Sequence, residues 1–200
     1  MQPPNLIRQA IEWLKRGKSK PVEDKDALRD LYFETALKYY ICARYAAFAG
    51  FIPVCGNLFH HAIEMYLKGY FCQSMDEGQR RNLKHNLKKM WRRFKANVAD
   101  PALDRFDSLI STLDRHEDIR YPEKIAREGI LAYIHFSKAS LVEDPSSPMR
   151  PEPEYEVVVD ELDALSKIMF EKSRMNPKAF ISGLNRDAQD FLERDNKSPM

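Results

Sequence analysis

The chain has 200 residues, of which 44% are hydrophobic and 31% are charged, including eleven Phe, nine Tyr and two Trp. Because this composition supplies enough apolar side chains for a buried core, it excludes an intrinsically disordered chain, and the length leaves room for one compact domain. The formal net charge of +2 at pH 7 implies no particular class of partner.

Helical periodicity of apolar residues predicts three helices in the first third of the chain. A short helix over residues 6–14 should dock on the core from outside. A longer helix should run from Asp26 to Ala49 and stop at Gly50, and the next should begin near Pro53 and continue to about residue 71. The buried stripe predicted for the longer helix consists of Leu28, Leu31, Tyr32, Thr35, Tyr39, Cys42, Ala46 and Ala49.

The middle of the chain should add a helix from Asn82 to Val98 and another that opens at Asp100 and Pro101. The buried stripe predicted for the second of these consists of Leu103, Phe106, Ile110 and Leu113. The segments GILAYIHF and YEVVV are rich in β-branched and aromatic residues, and they predict a two-stranded arm over 129–159. Asp160 should cap one more helix, and Pro177 should start the last.

These elements predict an all-α fold, a bundle of four to five core helices with a small two-stranded β arm and flanking N- and C-terminal helices. We expect a single domain. Residues 1–23 form the N-terminal helix, residues 24–172 the core, with the arm inserted at 129–159, and residues 173–200 the C-terminal helix and tail.

The cysteines and the N-terminus indicate where the protein resides. Cys42, Cys55 and Cys72 form no C-x-x-C pair and lie in apolar helical stretches, which favours a reducing compartment. The start MQPPNLIRQAIEW lacks the basic flank and apolar run of a signal peptide, and an arginine, a proline and two histidines interrupt the most apolar stretch. We therefore expect a cytoplasmic location and no membrane partner.

The sharpest compositional anomaly is the segment 79–99, which contains no Asp or Glu but many Lys and Arg residues. If the segment is one helix, charges four residues apart form columns on its outer face and repel one another. The candidate nucleic-acid or anion-binding residues on this face are Arg80, Arg81, Lys84, Lys88, Lys89, Arg92 and Arg93. A polyanion such as RNA would compensate these charges. The alternatives are a solvated face, or a face balanced by acidic residues such as Glu152 to Asp163 or by a partner subunit.

Other constellations give weaker indications of chemistry. His60 and Glu64 are four apart on one helix, but no third ligand accompanies them at a persuasive spacing, so we predict no metal and no cofactor. The histidines at 60, 61 and 85 are interpreted as buried and structural. Phosphate-binding glycine loops and G-x-S-x-G are absent from the sequence.

A polar cluster before Pro122 offers candidate catalytic residues. A histidine there could move a proton and arginines could stabilise a phosphodiester transition state, or the cluster could be an exposed helix end joined by ion pairs. The candidates are Arg115, His116, Arg120 and Tyr121.

The run HHAIEMYLKGYF, followed by HNLKKMW and later by a helix ending in IRYPE, resembles the HEPN family of small helical domains. The resemblance covers roughly Asp26 to Pro122, with Val158 to Phe170 as the last helix. It implies a helical bundle that commonly forms a homodimer. Many HEPN proteins are metal-independent ribonucleases of toxin–antitoxin or defence systems, with an Arg followed four to six residues later by His, and others bind nucleotides or serve as interaction modules.

Three functional hypotheses follow. The first is a HEPN-like module that binds RNA, a nucleotide or an acidic protein through the basic helix without robust catalysis. The second is a metal-independent endoribonuclease. This sequence departs from the family motif because Arg115 is followed by Arg120 rather than His, whereas Arg80 and His85 have the motif's spacing within the basic segment. The third is a purely structural dimerisation module.

Overall fold

A computed structural model describes residues 24–137, 155–194, 196 and 198–200. The predicted first helix, in residues 6–14, lies outside the described residues, as does the predicted tip of the arm in 138–154. The described chain is mostly helical and has one two-stranded sheet, which confirms the predicted all-α fold with a small β arm. Within these residues, no helix is both long and apolar enough to cross a membrane.

The described residues form nine α-helices, two short 3-10 helices and two strands. The α-helices are α1 (Lys25–Phe48), α2 (Val54–Phe71), α3 (Glu77–Arg81), α4 (Leu87–Val98), α5 (Asp107–His116), α6 (Pro122–Glu128), α7 (Val159–Lys172), α8 (Pro177–Ile181) and α9 (Arg186–Glu193). The 3-10 helices, Pro101–Phe106 and Glu117–Ile119, lie on either side of α5, and the strands are β1 (Ala132–His135) and β2 (Tyr155–Val158).

Helices α1 and α2 form the centre of the fold. Gly50 follows the C-cap of α1 and has a φ of +71°, in the left-handed region that glycine adopts without strain. Helix α2 then packs along α1. The rings of Phe33, Tyr66 and Phe170 meet with centroids 5.2 to 5.4 Å apart and join α1, α2 and α7. Edge and tilted contacts of this kind add about 0.5–1.5 kcal/mol per pair beyond the burial of the rings.

The face of α1 that packs into the core differs from the predicted one. Leu31, Thr35, Tyr39, Cys42 and Ala49 are exposed, so most of the predicted stripe faces outward. The buried face instead carries Phe33, Ala36, Leu37, Tyr40, Ala43, Arg44 and Ala47. The prediction was wrong because the second half of α1 is apolar nearly all round, so its periodicity does not define which side is buried.

A buried ion pair fixes the far end of α1. Arg44 and Asp163 are fully buried and form hydrogen bonds with each other, and the Tyr40 hydroxyl donates to the same carboxylate. Arg44 also donates to the backbone carbonyl of Arg194. Burial raises the pKa of Asp163, whereas Arg44 and Tyr40 lower it. This network connects α1 to α7 and to the C-terminal segment.

The basic segment is not the single helix that the sequence predicted. It is divided into α3 and α4 by a turn in which Lys84 has a φ of +52°. The Asn86 side chain accepts a hydrogen bond from the Lys89 backbone N–H and caps α4. An asparagine at this position provides a new helix start, which periodicity across 82–98 does not reveal.

The remaining described residues contain the other predicted elements, with changed boundaries. The stripe Leu103, Phe106, Ile110 and Leu113 is buried, although Asp100 caps a 3-10 helix that precedes α5. Helix α7 begins at Val159, so Asp160 lies in its first turn rather than at its cap. The predicted final helix is two helices, α8 and α9, because the Asn185 side chain accepts from the Ala188 N–H and starts a second one.

The two strands of the arm pair in parallel, with Ala132 opposite Tyr155 and His135 opposite Val158. Strand β2 packs on α5 and leads directly into α7. The two strands therefore pack against the helical core and do not form a free hairpin.

Candidate functional site

Five of the seven predicted basic residues are exposed, at the end of α3, on the turn before α4 and on the outer face of α4. They are Arg81, Lys84, Lys89, Arg92 and Arg93, and Lys88 is half-buried. Arg80 is only 3% exposed, and its guanidinium donates to the backbone carbonyl of Met75 at 2.7 Å. Its predicted place in an outer column is therefore wrong, because the break between α3 and α4 turns this side chain inward.

Acidic residues of the same chain balance some of these charges. Lys88 lies 4.0 Å from Asp114, and Lys95 contacts both Asp104 and Asp107 at 2.7 Å. The balancing residues that the structure describes belong to α5 and to the 3-10 helix before it, and Arg81 also pairs with Glu77 of α3 at 3.6 Å. Sequence reasoning missed the pairs of Lys88 and Lys95 because they depend on how α4 and α5 pack.

Four cations of the segment have no carboxylate partner among the described residues. Lys89 and Arg92 reach only backbone carbonyls, of Asn82 and Lys88, and the Arg93 guanidinium lies 5.9 Å from the centroid of the Phe71 ring. We call Lys84, Lys89, Arg92 and Arg93 the basic surface. Its charge is open to solvent and to a ligand.

A cavity of about 230 Å³ opens beside the C-terminal end of α4. It is lined by Arg29, Tyr70, Gln73, Ser74, Asn97, Lys172, Ser173 and Arg174. Asn97 lies one helical turn beyond Arg93, so the cavity continues the line of the basic surface. Arg29 pairs with Asp26 at 3.2 Å and Lys172 with Asp100 at 2.6 Å. The sequence did not indicate this cavity because its lining comes from four separated segments.

The predicted catalytic residues are only partly brought together. His116 is 1% exposed, and its ring lies 5.3 Å from the ring of Tyr155, over which the Arg115 guanidinium also lies at 5.3 Å. Arg120 instead pairs with Glu117 at 2.8 Å, and Tyr121 is 62% exposed.

Burial lowers the pKa of His116 to about 4, with smaller contributions from the charges of His60 and Arg115. The imidazole is neutral at pH 7 and enclosed. In this conformation it does not exchange a proton with a substrate at the surface.

A second polar cluster surrounds the buried carboxylate of Glu64. Lys68 Nζ lies 2.5 Å from Oε1, and His85 Nδ1 lies 3.0 Å from Oε2. His61 Nδ1 and His60 Nε2 lie 3.5 Å and 3.7 Å from Oε2. Burial alone would raise the pKa of Glu64, but hydrogen bonds from His61, Lys68 and His85 outweigh it and bring the pKa to about 2.

The histidines of this cluster only partly fit the predicted structural role. His60 is fully buried, as predicted, whereas the side chain of His61 is 26% exposed and that of His85 is 60% exposed. His85 reaches Glu64 from the turn before α4, across a sequence separation that spacing rules do not cover. Arg80 and His85 have the spacing of the ribonuclease motif, but Arg80 donates to the Met75 carbonyl whereas His85 contacts Glu64.

No family model, no curated protein and no solved structure matches this chain. Its function is therefore inferred from the arrangement of its own side chains.

Proposed function

We propose that this chain is a HEPN-like helical module that binds RNA through the basic surface and has no catalysis of its own. The observation that carries the proposal is the exposure of Lys84, Lys89, Arg92 and Arg93 without carboxylate partners among the described residues. Of the eight cations of the segment, Arg80 is buried, and Arg81, Lys88 and Lys95 pair with carboxylates of the chain. The four remaining cations are therefore available to a ligand.

Phosphates would relieve the repulsion within the basic surface. Lys89 and Arg93 are four residues apart on α4, and Lys89 and Arg92 are three apart, so these cations are neighbours on one face. Each phosphate that a cation neutralises releases condensed counterions, which favours binding at low salt.

The exposed face of α4 favours a phosphate backbone over a protein partner. The two aromatic residues of α4, Trp91 and Phe94, are 2% and 0% exposed and pack inward, away from this face. Protein interfaces usually bury an apolar centre, which this face does not offer. Without an exposed aromatic ring on α4, bases have nothing to stack on there, so binding should depend little on sequence.

Salt-dependent binding of a labelled single-stranded RNA tests the proposal, with fluorescence anisotropy as the readout. Four phosphate contacts predict a slope of about −3 in log affinity against log salt concentration, and a loss of about fiftyfold between 50 and 200 mM salt. The variant Lys89→Glu/Arg92→Glu/Arg93→Glu should lose most of the affinity and reduce the slope to about −1.

The matched control is Arg127→Glu/Lys178→Glu/Arg186→Glu, which makes the same change in net charge at exposed positions outside α4. The control should retain the slope of the wild type. Equal losses in both variants, or an unchanged slope in the first, would refute the basic surface as the RNA site. Cleavage of the RNA in EDTA by the purified protein would refute the non-catalytic part of the proposal.

A further inference from the structure

Three side chains that can bind a metal ion converge in the middle of α2. His60, His61 and Glu64 each place a ligand atom within 4.8 Å of the other two. The spacing of one, three and four residues puts the three groups on neighbouring positions of one helical turn. Sequence reasoning considered only His60 and Glu64, because it did not anticipate that His61 also turns towards the carboxylate.

The tautomer of His60 makes it ready to bind a metal ion. Its Nδ1 lies 2.9 Å from the backbone carbonyl of Leu113, and because a carbonyl only accepts, Nδ1 carries the proton. Nε2 then carries a lone pair. It is fully buried, has no hydrogen-bond partner among the described residues and lies 3.7 Å from Glu64 Oε2. A histidine ligand commonly donates its other N–H to a carbonyl in this way.

Two electron-rich atoms, His60 Nε2 and Glu64 Oε2, therefore face each other in a buried site without a proton between them. A buried carboxylate facing a bare imidazole nitrogen is the donor set that a divalent transition-metal ion stabilises.

We infer that His60 Nε2, His61 Nδ1 and Glu64 Oε2 form a binding site for a metal ion of the zinc class, with the proton of His61 moved from Nδ1 to its exposed Nε2 when the metal binds. Tetrahedral zinc with bonds of about 2.0–2.2 Å holds its ligand atoms about 3.3–3.5 Å apart. The two distances to Oε2, 3.5 Å and 3.7 Å, are close to that requirement and need only small side-chain movements.

His85 is the side chain placed to take the fourth position. Its Nδ1 lies 3.0 Å from Glu64 Oε2, and the side chain is 60% exposed, which leaves it free to reorient. Lys68 stays on the other carboxylate oxygen at 2.5 Å and orients Glu64. The metal would then attach the turn between α3 and α4 to α2. This site does not depend on the proposed RNA binding.

Cobalt(II) is the probe that tests the site, because a tetrahedral cobalt centre absorbs visible light and zinc displaces it. The protein is first treated with EDTA and dialysed. We expect one equivalent of cobalt to bind with a visible absorption, and zinc to abolish that absorption. His61→Ala and Glu64→Gln should lower the zinc affinity by at least tenfold, and His85→Ala should lower it as well.

The matched control is His135→Ala, because His135 also lies beside a carboxylate, Glu156, at 3.2 Å but outside the cluster. It should leave the metal affinity unchanged. Absence of stoichiometric binding, or a thiolate-to-cobalt absorption that indicates cysteine ligands, would overturn the inference. So would an unchanged affinity in His61→Ala, whose partly exposed side chain makes it a variant that should still fold. An unchanged affinity in His85→Ala would overturn its place as the fourth ligand.

Discussion

Replacing Gly56 by alanine should destabilise the protein even though alanine is the better helix former. Gly56 lies in α2 directly against the buried ring of His116. A Cβ atom at this position would lie 2.3 Å from Nδ1, 2.4 Å from Cε1 and 2.8 Å from Cγ of that ring. All three distances are below van der Waals contact, and the ring is enclosed, so α2 and α5 would have to move apart.

Two opposing contributions set the size of the effect. Alanine in a helix interior gains about 1 kcal/mol over glycine. Overpacking a close-packed core typically costs about 1–3 kcal/mol, and contact with three ring atoms places this substitution near the upper end. We therefore expect a net loss of about 2 kcal/mol in the free energy of unfolding.

A double-mutant cycle with His116→Ala isolates the contact, with urea unfolding followed by far-UV circular dichroism. In the His116→Ala background the ring is gone, so Gly56→Ala should stabilise by about 1 kcal/mol and the coupling should be about 3 kcal/mol. Gly78→Ala in α3 is the control, since its added Cβ would meet nothing closer than 3.4 Å. A destabilisation by Gly56→Ala that persists without the His116 ring would refute the reasoning.

Three further predictions concern stability. Arg44→Met should lower the free energy of unfolding by about 3–5 kcal/mol, because it leaves the Asp163 carboxylate buried without its cation. The double variant Arg44→Met/Asp163→Leu should lower it less. Urea unfolding that finds the double variant less stable than the single one would contradict this. Because the pKa of His116 is lowered to about 4 in the folded state, the unfolded state binds its proton first as the pH falls. The contribution of His116 to the free energy of unfolding should be fully present above pH 6.5 and should fall by about 3 kcal/mol as the pH approaches 4. Between pH 7 and pH 4.5, urea unfolding should show that His116→Leu loses less stability than the wild type. An equal loss of stability in both proteins would contradict the lowered pKa of His116. Ala99→Gly should stabilise by about 0.5 kcal/mol, because Ala99 ends α4 with a φ of +54° in the left-handed region that glycine adopts without strain. A melting temperature that does not rise by about 1–2 °C would count against that.

The existence of the helices was predictable from sequence because strong apolar periodicity and good caps agree locally. The stripe from Leu103 to Leu113 shows this, since all four predicted positions are buried. The buried face of α1 was not predictable, because apolar residues surround its second half and only packing against α2 and α7 selects a side. The break before α4 depended on one side chain, Asn86, competing with a continuous helix.

The candidate sites divide in the same way. Exposed cations such as Arg92 and Arg93 could be named from charge patterning, because the sequence shows a segment rich in Lys and Arg that contains no Asp or Glu. The neutralisation of Lys88 by Asp114 could not, since it depends on how α5 packs beside α4. The contact between His85 and Glu64 was missed for a related reason, because it joins a turn to α2 across the intervening helix α3.

The parallel pairing of β1 and β2 constrains the order in which this protein assembles. A hairpin closes from its turn within microseconds, but a parallel pair has no local nucleus, because the chain must return to the start of the first strand before pairing begins. Strand β2 also depends on α5, where the ring of Tyr155 rests against His116. We therefore expect the sheet to form late, after the helices that support it.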